Sequence, residues 1–181
     1  MLAEEEGCMV TGSVGRWFLA VMVVAVVLGS FLGNSFAADK TKASDLSKAL
    51  GQVKLFAGLT DKERDALKSA ATLRHCKEGD RIIKAGTSLD KMFIVLGSQA
   101  EVRVNGKLMA TLPEQSLVGE LEFLDVLPAT ADVVILKETD LIELNNAALR
   151  DLMKKQPRLG YVVMSEIARI EGQRLRAMDM K

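Results

Sequence analysis

Few side chains in this sequence carry the chemistry of catalysis, and their spacing assembles no reaction centre. His75 is the sole histidine, with Cys76 beside it. No second histidine or cysteine pair stands at ligand spacing, so the donor set that zinc requires is missing. His75 is expected at a surface or strand edge, and Cys76 half-buried, with no base motif near it to activate a thiolate. No Ser/His/Asp set and no glycine-rich loop ending in Lys-Ser or Lys-Thr occurs, so no enzyme is expected. What remains is a glycine-led, carboxylate-bearing stretch from Gly119 through Glu120, Leu121 and Glu122 to Leu127, followed by Pro128, Ala129, Thr130 and Ala131. Gly119 to Leu127 is too polar and too irregular for a strand and reads as one helical turn set between strands.

The elements around that stretch are short. Arg81 to Lys84, Met92 to Leu96, Ala100 to Val104, Lys107 to Leu112, Thr130 to Leu136 and Asp140 to Leu144 are rich in β-branched residues and bounded by Gly, Asn, Asp or Pro. Asn105-Gly106, between two alternating runs, predicts a two-residue type I′ hairpin. Evenly spaced short strands predict an antiparallel sandwich or barrel. Helices flank them. Thr60 and Glu63 form a capping box for a helix running to about Ala71. Asn145 or Asn146 caps another through Met153, which Pro157 ends near Lys155. Leu159, Val162, Val163, Ile167, Ile170 and Leu175 then recur at helical spacing, with Arg169, Glu171, Gln173, Arg174 and Arg176 on the other side. That last helix either folds back on the strands or pairs with a second copy.

Residues 39–52 are small and polar and read as a linker. Before them, Trp17 to Ala38 holds no charged side chain, Arg16 precedes it, and Ser35-Phe36-Ala37 offers a small-x-small cleavage site. Residues 1–38 are therefore expected to be a secretory signal peptide, or alternatively an uncleaved membrane anchor, since about 20 apolar residues span a bilayer. Translation from Met9 would give a cleaner leader. The expected location is periplasmic or secreted, with inner-membrane anchoring facing the periplasm as the alternative. Basic and acidic side chains balance at 24 each, which gives no support for a nucleic-acid surface.

The ordered set Leu55-Phe56, Lys77-Glu78-Gly79-Asp80, Gly86 to Asp90, Met92 to Val95, Gly119-Glu120-Leu121 and Pro128 to Ala131 resembles the cyclic nucleotide-binding domain family. The resemblance spans about residues 53–178. It implies a mainly β fold with flanking helices: an antiparallel, jelly-roll-like β-roll with N-terminal helices, a short cassette helix and a C-terminal helix pair. It also implies a ligand site at Gly119, Glu120, Leu121, Thr130 and Ala131, where a short helix aims backbone N–H groups at a phosphate and Glu120 accepts from a ribose hydroxyl. The family's phosphate arginine is replaced by Ala129. Loss of one partner of a buried charge pair costs about 2–5 kcal/mol, or roughly 30- to several-thousand-fold in affinity. Glu122 adds a carboxylate where the family has a small neutral residue, Gln115 replaces a turn glycine, and Ser98 replaces another.

Two functions follow as expectations. One is an exported sensor or regulatory module with doubtful affinity for cyclic AMP or cyclic GMP and no other cofactor. The alternative is a ligand-free structural or interaction module that keeps only the fold. A homodimer through residues 159–178 is expected of either. A DNA-binding role is not, because no helix-turn-helix follows the long helix.

Overall fold

The computed structural model describes residues 43–179. The leader, the cleavage site and the choice of start codon lie outside those residues.

Helix α1 (43–52) occupies most of what reads as a linker. Leu46, Ala49, Leu50 and Val53 recur at one helical stripe and are buried, so the apolar spacing prevails over the polar composition around it. A 3-10 turn at Lys54–Phe56 buries Leu55 and Phe56. Helix α2 (Asp61–Leu67) opens with the expected capping box, Glu63 N–H donating to Thr60 Oγ1 and Thr60 N–H to Glu63. It ends at Leu67, four residues short of Ala71, which instead begins a strand.

Eight strands follow in two four-stranded antiparallel sheets. They are β1 (Ala71–Cys76), β2 (Arg81–Ile83), β3 (Lys91–Val95), β4 (Ala100–Val104), β5 (Lys107–Leu112), β6 (Ser116–Val118), β7 (Asp132–Ile135) and β8 (Thr139–Asn145). One sheet has the order β1-β8-β3-β6 and the other β2-β7-β4-β5. Asn105 and Gly106 both have positive φ, as the type I′ turn between β4 and β5 demands. Helix α3 (Glu120–Asp125) lies between β6 and β7. Asn145 caps α4 (Asn146–Lys155), accepting from Ala148 N–H, and α5 (Pro157–Asp179) completes the described chain.

The first sheet is buried on both faces, which explains the uninterrupted apolar run of β3. Met92 and Ile94 face the helices, in one core cluster with Leu50, Phe56, Leu149, Leu159 and Ile167. Phe93 and Val95 face the second sheet, in another cluster with Ile83, Val118, Val133 and Ile135. The pleat sends alternate side chains to opposite faces, and a sheet covered on both sides loses polar alternation. Cys76 lies in the inter-sheet cluster with no exposed surface, so it is fully rather than half buried, and burial pushes its thiol pKa up. His75, on β1, is exposed as expected, its ring nitrogens 2.9 Å from carboxylate oxygens of Asp140 and Glu138.

Candidate functional site

The cassette begins where β6 hands over to α3. Gly119 caps that helix with φ 80°. A Cβ there would meet Ile83 Cδ1 and Leu89 Cδ1 at 3.3 Å and the Lys91 carbonyl at 3.4 Å. Both the left-handed backbone and the close approach require glycine. One residue later Glu120 turns inward, its side chain only 5% exposed. The helix therefore enters the roll with a carboxylate on its buried side and Leu121 on its outer side, 44% exposed.

Glu120 does not face an empty cleft. Arg174, from α5, donates from Nη1 to Glu120 Oε1 at 2.6 Å, and the same nitrogen reaches Glu171 Oε1 at 2.8 Å. Arg174 Nη2 donates to the Leu117 carbonyl at 2.5 Å. The other carboxylate oxygen, Glu120 Oε2, is buried without a hydrogen-bond partner. Burial raises the Glu120 pKa from the ordinary carboxylate range to about 7, against the opposing pull of Arg174.

The far side of the cassette is closed by its own backbone. Ala129 is half-buried against the inter-sheet cluster. Its N–H donates to the Thr87 carbonyl at 3.0 Å and its carbonyl accepts from Gly86 N–H at 2.7 Å. Asp132 Oδ1 accepts from Ala85 N–H at 2.9 Å, and Glu122 accepts from Leu89 N–H. Thus Glu122 and Ala129 border the same 86–89 loop, and the carboxylate lies turned onto it. Thr130 is exposed and Ala131 half-buried. The two strand arginines nearest in sequence pattern each face a carboxylate: Arg81 lies 3.9 Å from Asp132, and Arg103 Nε donates to Glu101 at 2.8 Å. Gln115, in place of a glycine, takes φ 59°, the left-handed conformation that turn requires. Ser98 is buried and accepts from Lys137 N–H at 3.2 Å.

Five expected site residues thus divide. Gly119 and Glu120 are built into the fold, Leu121 and Thr130 are exposed, and Ala131 is half-buried just before β7. Arg174 and Glu171 correct the expectation that they lie on the solvent side of the last helix. The signal is present in the sequence: Val163, Ile167, Ile170 and Arg174 follow steps of four, three and four, one continuous stripe. Leu175, expected on the packed side, is 61% exposed. A shallow groove of about 390 Å³ lies apart from Glu120, lined by Phe123, Leu124, Met153, Gly160 and Met164 with Arg150 and Lys154. The Arg150 guanidinium stacks 4.4 Å above the Phe123 ring and donates to the Phe123 carbonyl.

Two facing antiparallel sheets, a short helix set into them and helices at both ends make an antiparallel β-roll. Residues 73–156 match the family described as Cyclic nucleotide-binding domain, and this part of the chain is a domain of that family. A cyclic nucleotide-binding domain from Methylobacillus flagellatus is similar over 77% of this chain and 81% of its own, with 23% identity and a TM-score of 0.64. The regulatory subunit of a cAMP-independent protein kinase A from Trypanosoma cruzi, bound to guanosine, is similar over 62% of this chain and 41% of its own, with 25% identity and a TM-score of 0.53. Glutaminase 2 of Bradyrhizobium diazoefficiens is 28% identical over 133 residues, 73% of this chain. The chain spans only 21% of that glutaminase's length.

Proposed function

We propose that this chain is an exported, non-enzymatic regulatory module with low affinity for cyclic AMP and cyclic GMP, whose last helix reports the state of the cassette. One observation carries the reading: the carboxylate of Glu120 is held by Arg174 from α5, 54 residues away, while Ala129 supplies no cation for a phosphate. A cyclic nucleotide has to displace or share the Arg174 contact and has no guanidinium to gain in return. Breaking or forming that contact connects the ligand site to the end of α5. The uncharged stretch 17–38 after Arg16 supports export to the periplasm or anchoring in the membrane facing it.

Thermal unfolding of the full chain tests the reading. Ligand that binds only the folded state raises the midpoint by mass action. Cyclic AMP or cyclic GMP at millimolar concentration is expected to leave the midpoint within error. A rise of several degrees at micromolar ligand contradicts it.

A second reading, an interaction module, is favoured by exposed apolar side chains. Leu175 and Met178 are 61% and 66% exposed near the end of α5, whereas Leu159, Val163 and Ile167 in its first half are fully buried in the chain's own core. A homodimer through this helix would therefore use its last turns rather than the whole of 159–178. Sedimentation of the chain beside a Leu175→Glu, Met178→Glu variant measures it: a dimer that the variant dissolves supports the reading, and a strict monomer removes it.

A further inference from the structure

The groove beside α3 is built by three helices. Arg150, Met153 and Lys154 stand at i, i+3 and i+4 on α4, and Gly160 and Met164 at i and i+4 on α5, so each helix turns one face toward it. Phe123 and Leu124 close it from α3. Gly160 lets α5 come close to α4, since a Cβ there would lie 3.1 Å from Met153 Cβ. The floor is hydrocarbon and thioether, and unbranched methionine adapts to an irregular apolar guest. Leu121, one turn before Leu124 on α3 and likewise exposed, lengthens the apolar strip. At about 390 Å³ the groove falls at the small end of the roughly 300–1,000 Å³ range of small-molecule sites.

Both charged side chains on the groove wall are cations. The Arg150 guanidinium lies 4.4 Å above the Phe123 ring and donates from Nη2 to the Phe123 carbonyl, and among the described residues it pairs with no carboxylate. A guanidinium carries several N–H donors, and that one bond leaves others open. Lys154 Nζ is 3.5 Å from Asp151 Oδ1, with both side chains largely exposed, an ion pair of little strength. The nearest carboxylate of α3's end, Asp125, accepts from Leu127 N–H. An apolar floor with two cations at its edge fits a molecule that is hydrocarbon along its length and anionic at one end. We propose that this groove binds a fatty-acid anion of medium chain length. Its chain lies over Leu124, Met153 and Met164, and its carboxylate is held by Arg150 and Lys154. Such a guest bridges α3 to the two last helices at a place apart from Glu120. The site is independent of how tightly cyclic nucleotides bind.

Calorimetric titration of the full chain at one low ionic strength, below the micelle concentration of every probe, tests this. The probes are acetate, hexanoate, octanoate, decanoate and decyltrimethylammonium. Decanoate is expected to bind at one saturable site, at least tenfold more tightly than hexanoate and than decyltrimethylammonium. Each methylene that enters the groove multiplies affinity by up to about four, the factor equivalent to about 0.8 kcal/mol, and acetate gives no saturable heat. Lys154→Glu reverses one cation at an exposed position, and Met164→Glu sets a carboxylate into the floor. With folding verified by circular dichroism, the first is expected to weaken decanoate at least fivefold and the second at least tenfold. Should Met164→Glu not fold, Lys154→Glu carries the test. Absence of decanoate binding, equal binding of decyltrimethylammonium, or affinity that does not rise with chain length overturns the proposal. So does undiminished decanoate binding in Lys154→Glu, which would place the uptake at the uncharged stretch 17–38 instead.

Discussion

Replacing Arg174 by Met is expected to destabilise the chain little in mild acid and strongly in mild base. The substitution removes the guanidinium that lies 2.6 Å from Glu120 Oε1 and leaves the aliphatic stem. Glu120 then has one escape, which is to bind a proton. Its pKa is already raised by burial from 4.5 to about 7, so the folded state binds that proton more tightly than the unfolded state does. Stability linked to Glu120 is therefore highest below the unfolded pKa and declines as pH rises between about 4.5 and about 7. At about pH 6 the carboxyl is mostly protonated with or without Arg174, and the variant loses chiefly hydrogen bonds, about 1 kcal/mol. At about pH 8.5 the wild type is ionised and paired, whereas the variant keeps its proton. Each of those roughly 1.5 units above the wild-type pKa costs about 1.4 kcal/mol, so the variant loses a further ~2 kcal/mol. Urea unfolding at the two pH values measures the difference. Equal penalties at both, or a larger one in acid, would refute the reasoning that Arg174 neutralises a buried Glu120. Glu120→Gln supplies the control, because it should remove the decline between about pH 4.5 and 7 altogether.

Three further outcomes follow from the structure. Glu63 is held down to about 2 by Arg158 and by the Thr60 backbone, so its contribution is complete above about pH 4.5 and lost as pH falls toward about 2; acid unfolding of Glu63→Gln should show a shallower limb than the wild type. Val126 sits at φ 63° with 75% of its surface exposed, a strained conformation for a β-branched residue. Val126→Gly is expected to gain about 1 kcal/mol in chemical denaturation, and a loss of stability would mean that the side chain is held by contacts. Leu149→Ala, in the fully buried seam between α4 and the first sheet, should cost about 2–5 kcal/mol, read as a lower urea midpoint with unchanged slope.

The strands are legible in the sequence because local chemistry and tertiary burial agree along them. Asn105-Gly106 forces its own turn, and the run Met92 to Val95 is apolar throughout because both faces of its sheet are covered. The same agreement marks Gly119 and Asn145 as a cassette start and a helix cap. Where two signals compete, composition misleads. Residues 43–52 look polar, yet Leu46, Ala49 and Leu50 are spaced to bury, and a few apolar side chains on one stripe suffice to fix a helix on a core. The end of α2 falls at Leu67 because Ala71 pairs with Leu144 in the first sheet, a contact no local pattern announces. Arg174 reads as solvent-facing because a charged residue is rarely buried without a partner. Its partner, Glu120, lies on another element, and only the folded chain brings the two together. Ala129 is the opposite case: a missing charge is visible in sequence, but the carboxylate of Glu122 turned onto the same loop is not.

At the centre of this account is the proposal that a cassette carboxylate held by Arg174 of α5, with Ala129 in place of a cation, leaves cyclic nucleotides bound only weakly. Isothermal titration of the full chain with cyclic AMP and with cyclic GMP measures this most directly. No saturable heat is expected with either nucleotide below millimolar concentration, and a saturable isotherm with micromolar or tighter affinity would contradict the account.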